Sequence, residues 1–256
     1  MILATETLSK LRLEHVSMVF GRDGKTVPVL DDLNLQVADG EFIAVVGPSG
    51  CGKSTLLNLT GGFLSPTNGS ITIDGQPVHG PDPRRILVFQ ERGVFPWLTV
   101  EGNIGFGLSK LSRAERRERI AHYVQMVRLQ GFEHTYPSDL SGGMKQRLQV
   151  ARALAVNPDI LYLDEPFGAL DSVTRLIMRG ELLRIWQAER RTIILVTHDI
   201  DEAVQLADRV VVLSSRPAKI ENILTIDIAH PRYISSRRYL ELRDELLSKI
   251  GLAFTV

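Results

Sequence analysis

The feature that most constrains the fold is a glycine-rich loop that directly follows a short apolar run. The run Phe42–Val46 is the longest uninterrupted stretch of hydrophobic residues and is bounded by turn residues, which predicts a strand buried on both faces. The next nine residues, Gly47–Thr55, read GPSGCGKST, and a helix is predicted from Lys53 to about residue 60. A buried strand, a glycine loop and a helix in this order favour a parallel α/β sheet.

The loop matches the pattern G-x-x-x-x-G-K-[ST], in which backbone N–H groups and a helix N-terminus surround phosphate groups. In this pattern Lys53 would contact the β- and γ-phosphates of a nucleotide, and the Ser54 hydroxyl would ligate Mg²⁺. The alternative is a glycine turn with an accidental lysine. The predicted nucleotide contacts are the whole loop: Gly47, Pro48, Ser49, Gly50, Cys51, Gly52, Lys53, Ser54 and Thr55. Because such a loop must admit its ligand, we expect the Cys51 thiol to be reachable from solvent.

Two further segments carry residues suited to phosphate and metal chemistry. The apolar run Ile160–Leu163 ends in Asp164, which can hold Mg²⁺, and Glu165, which can polarise an attacking water; plain turn chemistry is the alternative. Ser141, Gly142 and Gly143 precede a helical run and present free N–H groups at a helix start; an ordinary N-cap is the alternative. A second phosphate loop suggests a site completed by two copies of the chain.

Around these motifs the chain alternates between predicted strands and helices. Residues 11–46 are strand-rich, and strands and helices alternate again from residue 160 to 213, which favours a parallel sheet with helices on its faces. Residues from about 91 to 155 are helical and more polar, with a predicted capping box at Ser112–Glu115. A C-terminal amphipathic helix is predicted at about 235–250.

Composition excludes several classes of protein. Thirty basic and thirty acidic residues give a net charge of zero, which disfavours a general nucleic-acid binder, so no nucleic-acid partner is expected. The single cysteine suits a reducing compartment. The apolar runs are far shorter than the roughly 20 residues of a spanning helix, and the N-terminus lacks the pattern of a secretion signal. The expectation is a soluble, cytosolic protein.

Taken together, the motifs resemble those of the ATP-binding subunits of ABC transporters over nearly the whole chain. Gly47–Thr55 resembles Walker A, Ile160–Glu165 resembles Walker B, and Leu140–Arg147 resembles the ABC signature, although Met144 stands where glutamine is most often found. Four more elements match in order: Phe20 as an adenine-stacking aromatic, Gln90 as the Q-loop, Gly168–Asp171 as the D-loop and His198 as the switch histidine. The resemblance implies a single cassette over residues 9–250. Its fold would be that of a P-loop NTPase (RecA-like), with a parallel-sheet core, an antiparallel β lobe and a helical lobe inserted at about 91–155.

The resemblance also implies what the residues do. The reaction would be Mg²⁺-dependent ATP hydrolysis, with Glu165 as base or water-polariser and His198 in contact with the γ-phosphate. Gln90 would link metal and water to a docking surface. The implied metal ligands are Ser54, Gln90 and Asp164, and Phe20 and Asp171 join the nucleotide contacts. Two ATP molecules would lie in a head-to-tail dimer with an identical or paralogous subunit, each between one Walker A and the other subunit's Ser141, Gly142 and Gly143.

Within the superfamily, Gly93–Leu108 and Glu165–Asp171 resemble the nitrate, sulfonate and taurine importer group. The implied partners are transmembrane permease subunits and, through them, a periplasmic or extracellular solute-binding protein, with the chain bound peripherally at the cytoplasmic face of the inner membrane. Phe95–Trp97 would either dock the permease or lie buried in the helical lobe, and the sequence leaves both open. Alternative functions are import of bicarbonate or a thiamine precursor, an ABC exporter, and a soluble non-transport ABC ATPase.

Overall fold

The computed structural model describes residues 9–22, 24–89, 93–168 and 170–251. The chain divides into two compact units, a first unit formed by Met1–Asp82 and Arg191–Val256 and a second unit formed by Pro83–Arg190. In chain order the elements are β1 (Ser9–Arg22), β2 (Lys25–Ala38), β3 (Phe42–Val46), α1 (Lys53–Gly61), β4 (Asn68–Ile73), β5 (Gln76–Pro77), β6 (Arg85–Val88), α2 (Val100–Gly105), α3 (Arg113–Met126), α4 (Gly142–Ala155), β7 (Ile160–Asp164), α5 (Ser172–Glu189), β8 (Thr192–Val196), α6 (Ile200–Leu206), β9 (Arg209–Leu213), β10 (Ile220–Thr225) and α7 (Arg237–Lys249).

The first unit contains an antiparallel sheet in the order β2-β1-β4-β5. Leu11 and Leu13 of β1 are buried, and so are Val16 and Met18, so the buried face shifts by one residue between Leu13 and Val16. The pairing of β1 with β2 changes register at this point, and His15 has a φ of 52°. A bulge of this kind adds one residue to a strand, which explains why the alternation along β1 is imperfect in the sequence.

The first unit also contains four strands of a mostly parallel sheet. β3 pairs in parallel with β8 on one side and β9 on the other, and β10 pairs antiparallel with β9. All five residues of β3 and of β8 are buried, which confirms the prediction of a strand covered on both faces. Because parallel strands end at one edge, the loops after β3, β8 and β9 share that edge of the sheet.

The second unit pairs β6 in parallel with β7 and carries α2, α3 and α4, which pack on one another. The predicted capping box is present: the Ser112 hydroxyl accepts from the Glu115 N–H, and the Glu115 carboxylate accepts from the Ser112 N–H. These bonds lower the pKa of the Glu115 carboxyl. α5 follows β7, in line with the predicted alternation of strands and helices from residue 160 to 213. The strands β5 and β10 of the first unit are described elements that the sequence pattern did not predict, whereas α2 lies within the stretch of about 91–155 that was predicted to be helical.

The C-terminal helix α7 lies within the predicted range and packs against α6 of the same unit. The Tyr239 hydroxyl lies 3.1 Å from a carboxylate oxygen of Asp201, and the Arg243 guanidinium lies 3.4 Å from the same carboxylate. None of the helices in the described ranges has both the length and the apolar character that crossing a membrane requires.

Candidate functional site

The loop Gly47–Thr55 leaves the carboxyl end of β3 and opens α1 in the first unit, as predicted. Gly52 stands at the N-cap of α1 with a φ of 123°, and a Cβ there would lie 2.8 Å from Leu30 Cδ2 and 2.9 Å from Val29 Cγ1. No side chain caps α1, and its first turn carries no acidic residue. The N–H groups at this helix start therefore have no competing side-chain acceptor, and the helix dipole favours an anion there.

Lys53 is buried and folds back onto its own loop. Its ammonium donates to the carbonyl oxygens of Gly47 at 2.8 Å and Pro48 at 3.0 Å. Pro48, Ser49, Gly50 and Ser54 are exposed and Thr55 is half-buried, so the loop presents a polar outer surface. This arrangement of donors fits the phosphate groups that the sequence pattern predicts.

The expectation for Cys51 is wrong, because its side chain is only 1 % exposed. Its Sγ lies 3.2 Å from the point where a Cβ on Gly47 would stand, so the thiol packs against the start of the loop. The loop is open on its outer surface, whereas the thiol faces the protein interior.

His198 follows β8 in the same unit and is exposed. Its neighbours on both sides bond to one buried residue, Glu202. The Thr197 hydroxyl donates to the Glu202 carboxylate at 2.5 Å, and the Asp199 carboxylate accepts from the backbone N–H of Glu202 at 3.1 Å. The Asp199 N–H in turn donates to the Thr197 hydroxyl. Sequence reasoning missed Glu202, although Asp199 with a glutamate three residues later is a helix-start signal.

Phe20 lies near the end of β1, opposite Val27 of β2, and its ring is 38 % exposed. It is therefore not a core residue, and its exposed ring is available for stacking on a flat ligand.

In the second unit, β7 carries the two candidate carboxylates at its end. Ile160–Leu163 are buried, Asp164 is half-buried at the last strand position and Glu165 is the next residue. Glu165 has a φ of 47°, a left-handed conformation that a residue other than glycine adopts at an energetic cost.

The other glycine loop stands at the start of α4. Ser141 is the N-cap, and its hydroxyl accepts from the Met144 N–H at 3.3 Å. Ser141 and Gly142 are exposed, and a Cβ on Gly142 would meet nothing within 4 Å. Ser141 is therefore an N-cap, as the alternative to a phosphate-binding role predicted, and the exposed face of the loop stays open beside it.

Asp171 caps the start of α5 by accepting from the N–H groups of Val173 at 3.1 Å and Thr174 at 3.0 Å. Hydrogen bonding with Thr174 is the largest of the causes that lower the pKa of the Asp171 carboxyl. Asp171 is therefore ionised near neutral pH and has a structural role in this chain. Gln90, the predicted Q-loop residue, and Ala169 of the predicted D-loop lie outside the described residues.

An apolar pocket of about 680 Å³ lies within the second unit, lined in part by Gly93–Trp97 and Gln149. Phe95 is half-buried, and its ring centroid lies 5.4 Å from that of Trp97. The Arg152 guanidinium lies over the Phe95 ring, 4.3 Å from the ring centroid. Burial lowers the pKa of Arg152. Trp97 is 68 % exposed, so the alternative of a tryptophan buried in the helical lobe is wrong.

The turn that presents these aromatic rings is held by the fully buried side chain of Asn103. Its amide oxygen accepts from the Phe95 N–H at 2.7 Å, and its amide nitrogen donates to the carbonyls of Phe95, Leu98 and Thr99 at 3.1, 2.9 and 3.0 Å. Both the oxygen and the nitrogen of this amide are thus bonded within residues 95–103, which holds the backbone on either side of Trp97.

Comparison with known proteins decides the family. The model of the ABC transporter family matches residues 30–168. The chain belongs to this family. It is 47 % identical over 241 residues to an uncharacterized ABC transporter ATP-binding protein of Methanocaldococcus jannaschii, covering 93 % of this chain and 90 % of the relative. It is 44 % identical over 237 residues to the aliphatic sulfonates import ATP-binding protein of Bacillus cereus, covering 93 % and 94 % of the two chains.

Solved structures agree with this assignment. A dimeric ATP-binding cassette in a post-hydrolysis state, bound to ADP and Pi, matches 86 % of this chain and 100 % of its own with a TM-score of 0.77 and 32 % identity. The predicted fold class is confirmed: the chain is an ABC transporter ATP-binding subunit with the P-loop NTPase fold, and it is an ATPase.

Proposed function

We propose that this chain powers the import of a small anion of the sulfonate, nitrate or taurine kind, as the ATP-hydrolysing subunit of an ABC importer. The observation that carries the proposal is the likeness to an aliphatic sulfonates import ATP-binding protein, which extends over more than nine-tenths of both chains. The exposed aromatic pocket around Phe95 and Trp97 supports it, because a surface of this kind suits a protein partner.

In the first unit, the proposed phosphate contacts are the N–H groups of Gly47–Thr55 and the ammonium of Lys53. Phe20 stacks on the adenine, and His198 contacts the γ-phosphate from the segment that Glu202 holds. The Ser54 hydroxyl is a proposed ligand of Mg²⁺, and hydroxyl, carboxylate and phosphate oxygens are the ligands that this ion prefers. When bound, Mg²⁺ neutralises charge on the β- and γ-phosphate oxygens.

In the second unit, Asp164 is the proposed carboxylate ligand of the metal and Glu165 the residue that polarises the attacking water. Gln90 is proposed to join metal and water to the docking surface. The place of Glu165 supports its assignment, because it directly follows Asp164 at the carboxyl end of β7.

We also propose that a second ATP-binding subunit, identical or paralogous, completes each site. Ser141, Gly142 and Gly143 of one subunit would face the nucleotide held by the other, and Asp171 would lie at the same interface. The open space around Gly142 supports this proposal, because the chain's own packing does not require a glycine there. ATP binding would favour the closed dimer, since the γ-phosphate then contacts two subunits instead of one.

The remaining partners follow from the importer function. Permease subunits would dock a cytoplasmic segment in the pocket beside Trp97 and hold the chain at the cytoplasmic face of the inner membrane. A periplasmic or extracellular solute-binding protein would act through the permease. Dimer closure would then move the permease, and hydrolysis would remove the bridging phosphate.

The test is to purify the complex of this chain with its permease and binding protein and to screen solutes for stimulation of ATP hydrolysis. We expect stimulation by an alkylsulfonate, taurine or nitrate. Stimulation by bicarbonate or a thiamine precursor alone would contradict the proposed solute class. The variant Glu165→Gln should bind ATP and lose hydrolysis by at least about 100-fold, whereas near-normal turnover would remove Glu165 from the mechanism.

Docking is tested in the same complex with Trp97→Ala. Its matched control is Phe132→Ala, which removes another exposed aromatic ring of the second unit that does not line the pocket. The Trp97 variant should keep its melting temperature and ATP affinity but co-purify poorly with the permease, and the control should co-purify normally. Equal recovery of both variants would contradict docking at this pocket.

A further inference from the structure

Arg216 lies in the turn between β9 and β10 and reaches the phosphate loop of the same unit. Its Nε donates to the carbonyl oxygen of Gly50 at 3.1 Å, and its Nη2 donates to the same oxygen. Arg216 belongs to none of the motifs in the sequence, and it is exposed. Two donors of one guanidinium thus converge on the Gly50 carbonyl, a contact that none of the motif residues makes.

The turn that carries Arg216 is anchored at several points. The Ala218 N–H donates to the Val29 carbonyl at 2.8 Å, and the Ala218 carbonyl accepts from the Asp31 N–H at 2.9 Å. The Ser214 N–H donates to the Lys219 carbonyl at 3.0 Å, which closes the base of the turn. Arg216 is thus presented from a defined backbone, which lowers the entropic cost of holding its guanidinium on Gly50.

The bond to Gly50 fixes the orientation of one peptide group of the loop. In a trans peptide the carbonyl oxygen and the next N–H point in opposite directions. With the Gly50 carbonyl turned to Arg216, the Cys51 N–H points the other way and donates to the Pro48 carbonyl at 3.3 Å across the loop. The left-handed conformation of Gly50, with a φ of 74°, allows this orientation.

We propose that Arg216 is a positioning residue for ATP binding, which holds the Gly50–Cys51 peptide from one side while the Pro48 carbonyl holds it from the other, so that the phosphate loop keeps its shape. Its positive charge adds to the potential of the loop, but its main effect is on loop geometry. This inference rests on the proposed role of Gly47–Thr55 as the phosphate loop. It predicts a loss of nucleotide affinity with little change in the chemical step, because Arg216 contacts the loop from outside.

The experiment compares four forms of the full chain: wild type, Arg216→Met, Arg216→Lys and Lys219→Met. Lys219→Met is the matched control, because it removes one positive charge from the same turn. The Lys219 ammonium pairs with Asp31 at 3.0 Å and not with the phosphate loop. Affinity for a non-hydrolysable ATP analogue is measured by calorimetry, kcat and KM by phosphate release, and folding by thermal melting.

We expect Arg216→Met to weaken analogue binding about tenfold, as for loss of a charge-assisted hydrogen bond, with kcat within about twofold of wild type. Arg216→Lys should recover part of the affinity, and Lys219→Met should bind like wild type. The proposal is overturned if Arg216→Met binds like wild type, if both methionine variants weaken binding equally, or if kcat and affinity fall together with the melting temperature.

A parallel variant, Lys53→Met, separates this inference from the proposed phosphate loop. If Lys53→Met abolishes analogue binding while Arg216→Met does not weaken it, the positioning role alone is wrong. If Lys53→Met also leaves binding intact, the phosphate-loop assignment is wrong, and the role of Arg216 is overturned with it.

Discussion

The starts of helices α1 and α4 both carry glycine, Gly52 at the N-cap of α1 and Gly142 at the first position of α4, and their first turns are built differently. α1 starts after Gly52, and no side chain caps it. α4 starts after Ser141, whose hydroxyl already accepts from the Met144 N–H. The start of α1 therefore leaves its N–H groups to a ligand, whereas at the start of α4 the Ser141 hydroxyl occupies one of them, the Met144 N–H.

The glycines of the two loops differ in the same way. A side chain on Gly52 would collide with Val29 and Leu30, whereas a side chain on Gly142 would meet nothing. The first loop needs glycine for its own packing, and the second does not. The open space at Gly142 leaves room for a group from outside the chain, which is why the comparison bears on the proposed two-subunit site.

The largest effect should separate the two glycines. Gly52→Ala forces a side chain into a left-handed, crowded position at a cost of about 1–3 kcal/mol, and we expect ATP affinity to fall about 100-fold. Gly142→Ala should keep ATP affinity within about twofold, because nothing in the chain meets the added methyl group. Calorimetric titration with a non-hydrolysable ATP analogue measures both affinities.

The same pair of variants tests the role of the second loop in hydrolysis. Gly142→Ala should lower ATPase activity about tenfold or more while its melting temperature stays unchanged, because the methyl group obstructs a contact made only in the assembled site. Full activity of Gly142→Ala would mean that the loop faces no ligand, and the difference between the loops would then be a matter of packing alone.

A smaller effect concerns the cap on α4. Ser141→Ala removes the hydroxyl that accepts from Met144, at a cost of about 1 kcal/mol, and should lower the melting temperature by about 2–4 °C as well as reduce ATPase activity. Ser141→Asp restores a cap but places a negative charge where phosphate is proposed to bind. We expect it to regain the melting temperature and not the activity. Recovery of both would show that Ser141 acts only as a cap.

The smallest effect concerns Cys51. Because the thiol is buried, a bulky maleimide should label the native chain at least about 100-fold more slowly than the unfolded chain, since labelling requires local opening. Cys51→Ser should stay active, resist labelling and lose about 1–2 kcal/mol of stability, because a hydroxyl replaces the thiol in a packed position. Labelling of the native chain at the unfolded rate would contradict the observed packing.

Burial decided how well the sequence predicted the fold. The limits of β3 follow directly from its apolar run, because a strand covered on both faces has no polar positions to obscure its ends. β1 was harder to interpret, since the bulge at His15 reverses the inward face within the strand. The limits of the short helix α2 were not predicted, because they depend on local side-chain hydrogen bonds, here those of Asn103 to Phe95 and Leu98, which leave no periodic pattern.

For the candidate site, the motifs predicted where the loops and carboxylates lie but not which way the side chains point. The pattern Gly47–Thr55 defines a backbone path, so it could not show that the Cys51 thiol faces inward. The residues around Phe95–Trp97 likewise could not show whether the Trp97 side chain is buried or exposed. Arg216 and Glu202 were missed because each acts through a contact with a backbone or a neighbour that is visible only in three dimensions.

The two carbonyl oxygens that hold Lys53 have a consequence for which anions the chain retains. An incoming anion must replace both bonds from the ammonium to Gly47 and Pro48 before it gains the full attraction of that charge. A single sulfate or chloride ion offers few contacts in return, whereas a polyphosphate chain meets the ammonium and several loop N–H groups at once. We therefore expect this chain to bind ATP far more tightly than it binds single anions such as chloride or sulfate.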